Sequence, residues 1–388
     1  MDLSRKKFIV LLASSAAGIF LASCASRLGI AKASAFSSAS TAAATSAAGK
    51  SSADTSSEDK ESGSTDPALT KSSETNKSFE TTGNQANTQG PKKSIVGIAG
   101  QGYGSDLGAQ IESAVNLAGG LGFIKKGSVV LLKPNFNTGD ANPASTNPEV
   151  IRHVIRLVKK QNPYVIVIGD RSGFWSDTIK CMSKNGVDRV AEQEGAELYP
   201  FDDGQWVLEK PSSAKTWPKG FKVPKLLKEA DYVISIPVIK THSIATFTMA
   251  IKNWVGILDP LQRTTDLHLF NSNKQTFGHM LAELHLSRLP DFTVMDGTKA
   301  FVDGGPTEGT AVEPGLVVAS NDIIANDAAG LAILKTFGTI PKIQDYSVWS
   351  QPQIDRAVQL GFGAKKASDI EIIHENAANI DKIISNLA

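Results

Sequence analysis

Four short apolar runs in this chain lead directly into polar residues able to hold charge or move protons. VVLL runs into Lys133-Pro134-Asn135-Phe136, VIVIG into Asp170-Arg171-Ser172-Gly173, YVISIPVI into Lys240-Thr241-His242-Ser243, and FTVM into Asp296-Gly297. Lys133 and Lys240 could offer ammonium groups to an anion, phosphate or carboxylate, and burial would lower the pKa of either. If the chain stays extended past the third run, Lys240 and His242 share a face, because side chains two apart point the same way. His242 could then shuttle a proton or ligate a metal. Asp170 and Asp296 could bind a hard divalent cation or orient the basic groups. The competing reading is that these are ordinary strand-end residues paired with one another at a solvated rim.

Other features carry weaker chemistry. His279 and His285 lie six residues apart on the helical stretch 277–287, about 600° of rotation, so a zinc pair there is not expected. Gly100–Gly104 (GQGYG) lacks both the GxGxxG spacing and the GK[ST] ending of a phosphate loop. Gly304-Gly305-Pro306 reads as a turn first, and as a close backbone approach to a ligand second. Asp322 reads as a helix cap and Asp327 as a helix-surface residue. Cys181, with no His near it in sequence, reads as a buried or idle thiol.

These residues need elements to position them, and the pattern supplies an alternation of short apolar runs with helical segments. Strands are expected at 94–99, 128–132, 164–168, 232–236, 292–295 and 316–319. Helices are expected at 106–118, 148–160, 322–337 and 351–360, the second with Asn147 as cap and Pro148 in its first turn. Runs such as VVLL and VIVI are apolar on both faces, as when helices cover both sides of a strand. The expected fold is α/β, a largely parallel or mixed sheet with helices on both faces. In such sheets ligands bind beyond the carboxyl ends of the strands, where the four polar runs fall.

Composition bounds the partners. Residues 1–91 hold 9 of the 40 basic and 8 of the 39 acidic residues, leaving 31 of each for 92–388. That balance gives no sign of a nucleic-acid partner. Residues 1–23 read as a signal segment: Arg5, Lys6 and Lys7, then an apolar run from Phe8 to Ala22 that is short for a membrane span. Leu21-Ala22-Ser23-Cys24 resembles a lipobox, with Cys24 lipidated after cleavage and anchored through its acyl chains. Ser4-Arg5-Lys6-Lys7-Phe8 is similar to a twin-arginine export signal with Lys in place of the second Arg, and general secretion is the alternative route. Residues 24–91 are dominated by Ser, Thr and Ala and read as a disordered tether. The expected location is the extracytoplasmic face of a membrane, with residues 92–388 as a globular α/β domain. With Cys24 and Cys181 the only cysteines, no intrinsic iron–sulfur cluster is expected.

The ordered set LLKPNF, TNPE, VIVIGD, IPVIKTHS, AIKNWVG, an isolated His268, PDFTVMDG, GGPTEG and LVVASND…ND resembles the domain of unknown function 362 family across residues 94–337. The resemblance implies that Lys133, Asn135, Asp170, Lys240, His242, Lys252, Asn253, His268, Asp296, Asp322 and Asp327 occupy motif positions. On that basis Lys133, Asn135, Lys252 and Asn253 are expected to bind ligand. Lys240, His242 and His268 are expected to carry catalysis, and Asp170 and Asp296 to hold a metal. Many similar proteins carry a ferredoxin-like cysteine cluster that this chain lacks. Three functions are compatible: an envelope enzyme acting on a small anionic substrate, a non-catalytic solute-binding lipoprotein, and a redox accessory protein working with an iron–sulfur partner.

Overall fold

Segments apolar on both faces must be covered on both faces, and they become the inner strands of the sheet. In the computed structural model the described residues are 93–102, 106–173, 176–269 and 273–388. The expected signal segment, Cys24 and the tether lie outside them, as do Tyr103 and Gly104 of the GQGYG loop.

The strands, in chain order, are β1 (Ser94–Gly100), β2 (Val129–Pro134), β3 (Val165–Asp170), β4 (Glu197–Pro200), β5 (Trp206–Glu209), β6 (Phe221–Pro224) and β7 (Tyr232–Ile236). Then come β8 (Val238–His242), β9 (Thr246–Thr248), β10 (Phe292–Phe301), β11 (Ala311–Val312), β12 (Leu316–Ser320) and β13 (Ile370–Glu375). Eleven of them form one mixed sheet in the order β13-β1-β12-β10-β7-β2-β3-β4, with β8 and β11 also on β10 and β9 on β8. β5 and β6 pair separately. The block β10-β7-β2-β3-β4 is parallel throughout, whereas β12 runs antiparallel to both β1 and β10. The α/β class expected from the sequence is the one observed.

Local signals explain the helices that cover this sheet. Asn147 caps Pro148–Lys159 by accepting from Glu149 N at 3.0 Å, and Val150, Ile151, Val154, Ile155 and Val158 form its buried stripe. Gly186, at φ 97°, ends Thr178–Asn185 and starts Val187–Glu194, a backbone state that a side chain would strain. Ile323–Phe337 is apolar nearly all round and is buried on nearly every side, as such a helix must be. Asp322 caps it, accepting from Ile324 N at 2.8 Å and Ala325 N at 3.0 Å. Asp327, expected on this helix's surface, is instead fully buried. The apolar residues around it leave no solvated face for it to occupy.

Two placements differ from the strand-end expectation. Pro237 interrupts the third apolar run, so Lys240 and His242 belong to a separate strand, β8, rather than following β7. Asp296 sits in the middle of β10, which continues to Phe301.

Candidate functional site

The parallel strands β2, β3 and β7 bring their carboxyl ends to one edge, and β8 continues from β7 alongside β10. There Lys133, Asp170 and Lys240 line one hollow together with Asn135, Asn137, Arg171, Lys252, Asn253, Gly256, Arg263 and Pro306. Its enclosed volume is about 20 Å³, room for about one water, and with the open mouth included the empty space is about 310 Å³. Five cationic side chains and a single carboxylate stand among these walls.

Most of these groups are firmly held. Lys133 is fully buried and its Nζ lies 2.5 Å from Asp170 Oδ1, also donating to the Pro134 carbonyl at 2.9 Å. Burial pulls the Lys133 pKa down, and the adjacent Asp170 charge opposes the fall. Asp170 additionally accepts from Phe136 N at 2.7 Å and Arg171 N at 2.8 Å. Gly256 is packed on this pair: a Cβ there would collide with Asp170 Oδ1 and meet Lys133 Nζ at 2.7 Å. Glycine is needed because the backbone itself fills the space.

Lys240, also fully buried, donates to Asn135 Oδ1 at 2.9 Å and to the Ala144 carbonyl. Burial holds its pKa down at about 7, well below the usual lysine range. Asn135 in turn donates to Asn253 Oδ1 at 3.2 Å, and Asn253 Nδ2 reaches the Lys133 carbonyl at 3.0 Å and Ser235 Oγ at 3.1 Å. The two asparagines tie β2, β7 and the helical turn Ala250–Asn253 together.

Lys252 differs from its neighbours. It is 8% exposed, lines the hollow, and has no hydrogen-bond or ion-pair partner among the described residues. Burial, then the nearby Arg263 and Lys240 charges, push its pKa well below 10.5. Its backbone turn is nonetheless pinned. Asp327 accepts from Ala250 N at 2.6 Å and Ile251 N at 3.1 Å, and His285 Nε2 lies 3.0 Å from the Ile251 carbonyl. Burial raises the Asp327 pKa to about 8, and the two backbone donors only partly offset the rise.

Arg263 and Arg171 complete the basic wall. Arg263 donates to the Ser172 carbonyl at 2.7 Å and to Asn137 Oδ1 at 3.0 Å, and burial lowers its pKa to about 10. Arg171 Nε lies 3.2 Å from Asp202 Oδ1. Among the described residues the Arg263 Nε–H group is buried without a hydrogen-bond acceptor. Sequence reasoning passed over Arg263 as a site residue. An arginine in a polar stretch looks like a surface residue, and the π-helical segment Arg263–Leu269 that tucks it inward has no recognisable sequence mark.

The remaining candidates stand apart from the lining. His242 Nδ1 accepts from Ile244 N at 3.1 Å and Ala245 N at 3.2 Å, which places the proton of the neutral ring on Nε2. Burial first, then the Lys252 and Lys240 charges, hold its pKa well below 6.5. His268 closes on the Arg263 carbonyl through Nδ1 at 2.6 Å, and burial lowers its pKa to about 4. His285 is a core residue, its ring 4.6 Å from Trp254 in a stacked pair. Asp296 accepts from Asn142 Nδ2 at 2.7 Å, Asn147 N at 2.9 Å and Thr298 Oγ1 at 2.6 Å. It therefore braces the loop whose Ala144 carbonyl receives Lys240. Among the described residues, no group of three or more His, Cys, Asp and Glu side chains gathers as metal ligands would. Cys181 is a buried free thiol.

The turn expectation at Gly304-Gly305 holds. Both have φ of 66°, Gly305 N donates to the Glu308 carbonyl at 2.6 Å, and Pro306 reaches the hollow.

The chain is 30% identical over 241 residues to the thylakoid-associated protein sll1697 of Synechocystis sp., spanning 61% of this chain and 72% of that one. Two solved structures are more distantly similar. The lactate racemase apoprotein of Thermoanaerobacterium thermosaccharolyticum shows 12% identity and a TM-score of 0.37, over 77% of this chain and 88% of that one. A Thermotoga maritima protein shows 11% identity and a TM-score of 0.35, over 65% of this chain and 58% of that one. Residues 130–332, which hold every side chain named in the hollow, match the family described as Domain of unknown function (DUF362), and the chain belongs to that family.

Proposed function

We propose that the hollow binds a small, multiply charged oxyanion, phosphate or carboxylate in kind, in a protein anchored at the extracytoplasmic face of a membrane. The observation that carries this reading is the grouping of five basic side chains with one carboxylate around the hollow, Lys252 alone among them lacking a partner among the described residues. Burial lowers the charge on Lys252, so its amine offers hydrogen-bond donors, and the Arg263 guanidinium, which has no ion pair among the described residues, supplies a charge that an entering anion would balance. The unsatisfied Nε–H group of Arg263 supports the same reading. His242 and His268 are neutral at neutral pH and add no charge.

Anchoring rests on the Cys24 lipobox resemblance. The word thylakoid-associated in the relative's name supports membrane association. No helix among the described residues is long and apolar enough to cross a membrane.

The test is calorimetric titration of the purified chain with inorganic phosphate at low ionic strength. Each charge-assisted hydrogen bond contributes about 1.5–3 kcal/mol, so Lys252→Ala and Lys240→Ala should each weaken binding by about ten- to a hundredfold. Undiminished affinity in both variants would remove these lysines from the site.

A further inference from the structure

The basic side chains of the hollow are not held alike. Lys133 is committed to Asp170, Lys240 to Asn135 and the Ala144 carbonyl, and Arg263 to Asn137 and two carbonyls. Lys252 alone among the cationic side chains lining the hollow has neither a hydrogen bond nor an ion pair among the described residues. Yet its surroundings are held more tightly than a mere counter-charge requires. The residues before it are fixed by Asp327 and His285, and Asn253 after it is fixed to Lys133 and Ser235. A pinned turn therefore presents a primary amine at the wall of a small hollow lined by basic side chains.

A lysine kept free of hydrogen-bond acceptors, desolvated and beside other cations has its nitrogen lone pair available for bonding to carbon. An anion drawn in by Arg263 and Lys240 would bring any carbonyl group it carried against that nitrogen. Resting on the anion-site reading, we propose that Lys252 forms an imine with a carbonyl-bearing carboxylate, of which small 2-oxo acids are the simplest class.

The step balances without an oxidant or reductant. The neutral Lys252 nitrogen donates its pair to the carbonyl carbon, and the C=O π pair moves to oxygen, which takes a proton. The nitrogen loses one proton, leaving a neutral carbinolamine. A second proton on its hydroxyl lets water depart, and the C–N bond becomes an iminium. Overall an amine, a carbonyl and one proton give an iminium and one water. Lys240, with a pKa of about 7, is suited to give and regain protons beside this exchange. The lowered pKa of Lys252 keeps the amine in its reactive form.

The experiment is reductive trapping of the full chain with cyanoborohydride and glyoxylate, pyruvate or 2-oxoglutarate, read by intact mass and peptide mapping. Calorimetric titration with sulfate, which carries no carbonyl, runs in parallel. The expected result is a single reduced adduct on Lys252 with at least one of the three acids. Sulfate should suppress it about tenfold or more, and it should be absent from Lys252→Arg, which retains a cation and cooperative unfolding. If sulfate binds but adducts form only on scattered surface lysines, equally in wild type and Lys252→Arg, the imine proposal is overturned and the anion site stands. If sulfate does not bind at all, the anion reading falls, and this proposal with it.

Discussion

The side chains of the hollow differ in what they contribute. Lys133 and Asp170 form a buried pair that shapes the wall. Removing one partner of such a pair leaves an uncompensated charge, a loss of about 3–5 kcal/mol. Gly256→Ala should incur a loss of that order, because the added methyl displaces both partners at once, and urea unfolding should show it as a lowered midpoint. An unaltered midpoint would mean that the pair moves aside freely. Lys240 sets a pH dependence. Its pKa of about 7 means that its positive charge is present below that pH and is lost above it. Sulfate does not titrate in this range, so its Kd should rise by up to about tenfold per pH unit above 7 and level off below it. Calorimetry from pH 6 to 9 measures this directly, and Lys240→Met should flatten the profile. Lys133, Asp170 and Lys240 were legible in the sequence because charged residues follow apolar runs there. Arg263 was not, since nothing local distinguishes an arginine turned inward.

Elements, rather than single residues, decide where Lys252 stands. The turn Ala250–Asn253 is too short to persist alone and is held by the buried Asp327 on Ile323–Phe337. The folded state raises the Asp327 pKa from 3.8 to about 8, so it favours the protonated carboxyl. The stabilisation linked to that proton is fully present below about pH 4 and is lost as pH rises toward 8. Asp327→Asn cannot titrate, so wild-type stability relative to this variant should decline between pH 5 and pH 8, by up to about 4 kcal/mol. Urea titrations at the two pH values test it, and a constant difference would show that Asp327 is ionised throughout. The six expected strands correspond to β1, β2, β3, β7, β10 and β12, and the four expected helices appear, three of them with side-chain caps at Asp106, Asn147 and Asp322. These were readable because two-sided apolar runs and capping residues are local signals. Short β8 and β9 were not, because their pairing depends on Pro237 breaking one run and on β10 lying alongside. Asp327 was misplaced for a related reason: helical spacing cannot show that both faces of Ile323–Phe337 are covered.

At the scale of the whole molecule, a mixed α/β sheet gathers five basic side chains at one edge, and the proposed lipid at Cys24 would anchor the chain to a membrane. Cys24→Ala should move the protein from the membrane fraction to the soluble fraction and abolish labelling by radioactive palmitate. Retention of both would exclude Cys24 as the anchor. The family match extends over the segment that builds the hollow, so the same edge is where related chains should be compared. Whether an anion occupies that edge can be seen directly, because selenate can be located there by its anomalous scattering in crystals of the full chain. The strongest selenium peak should lie in the hollow, within hydrogen-bonding distance of Lys252 Nζ and the Arg263 guanidinium. Selenate found only at surface lysines, with the hollow open but vacant, would contradict the proposed anion site.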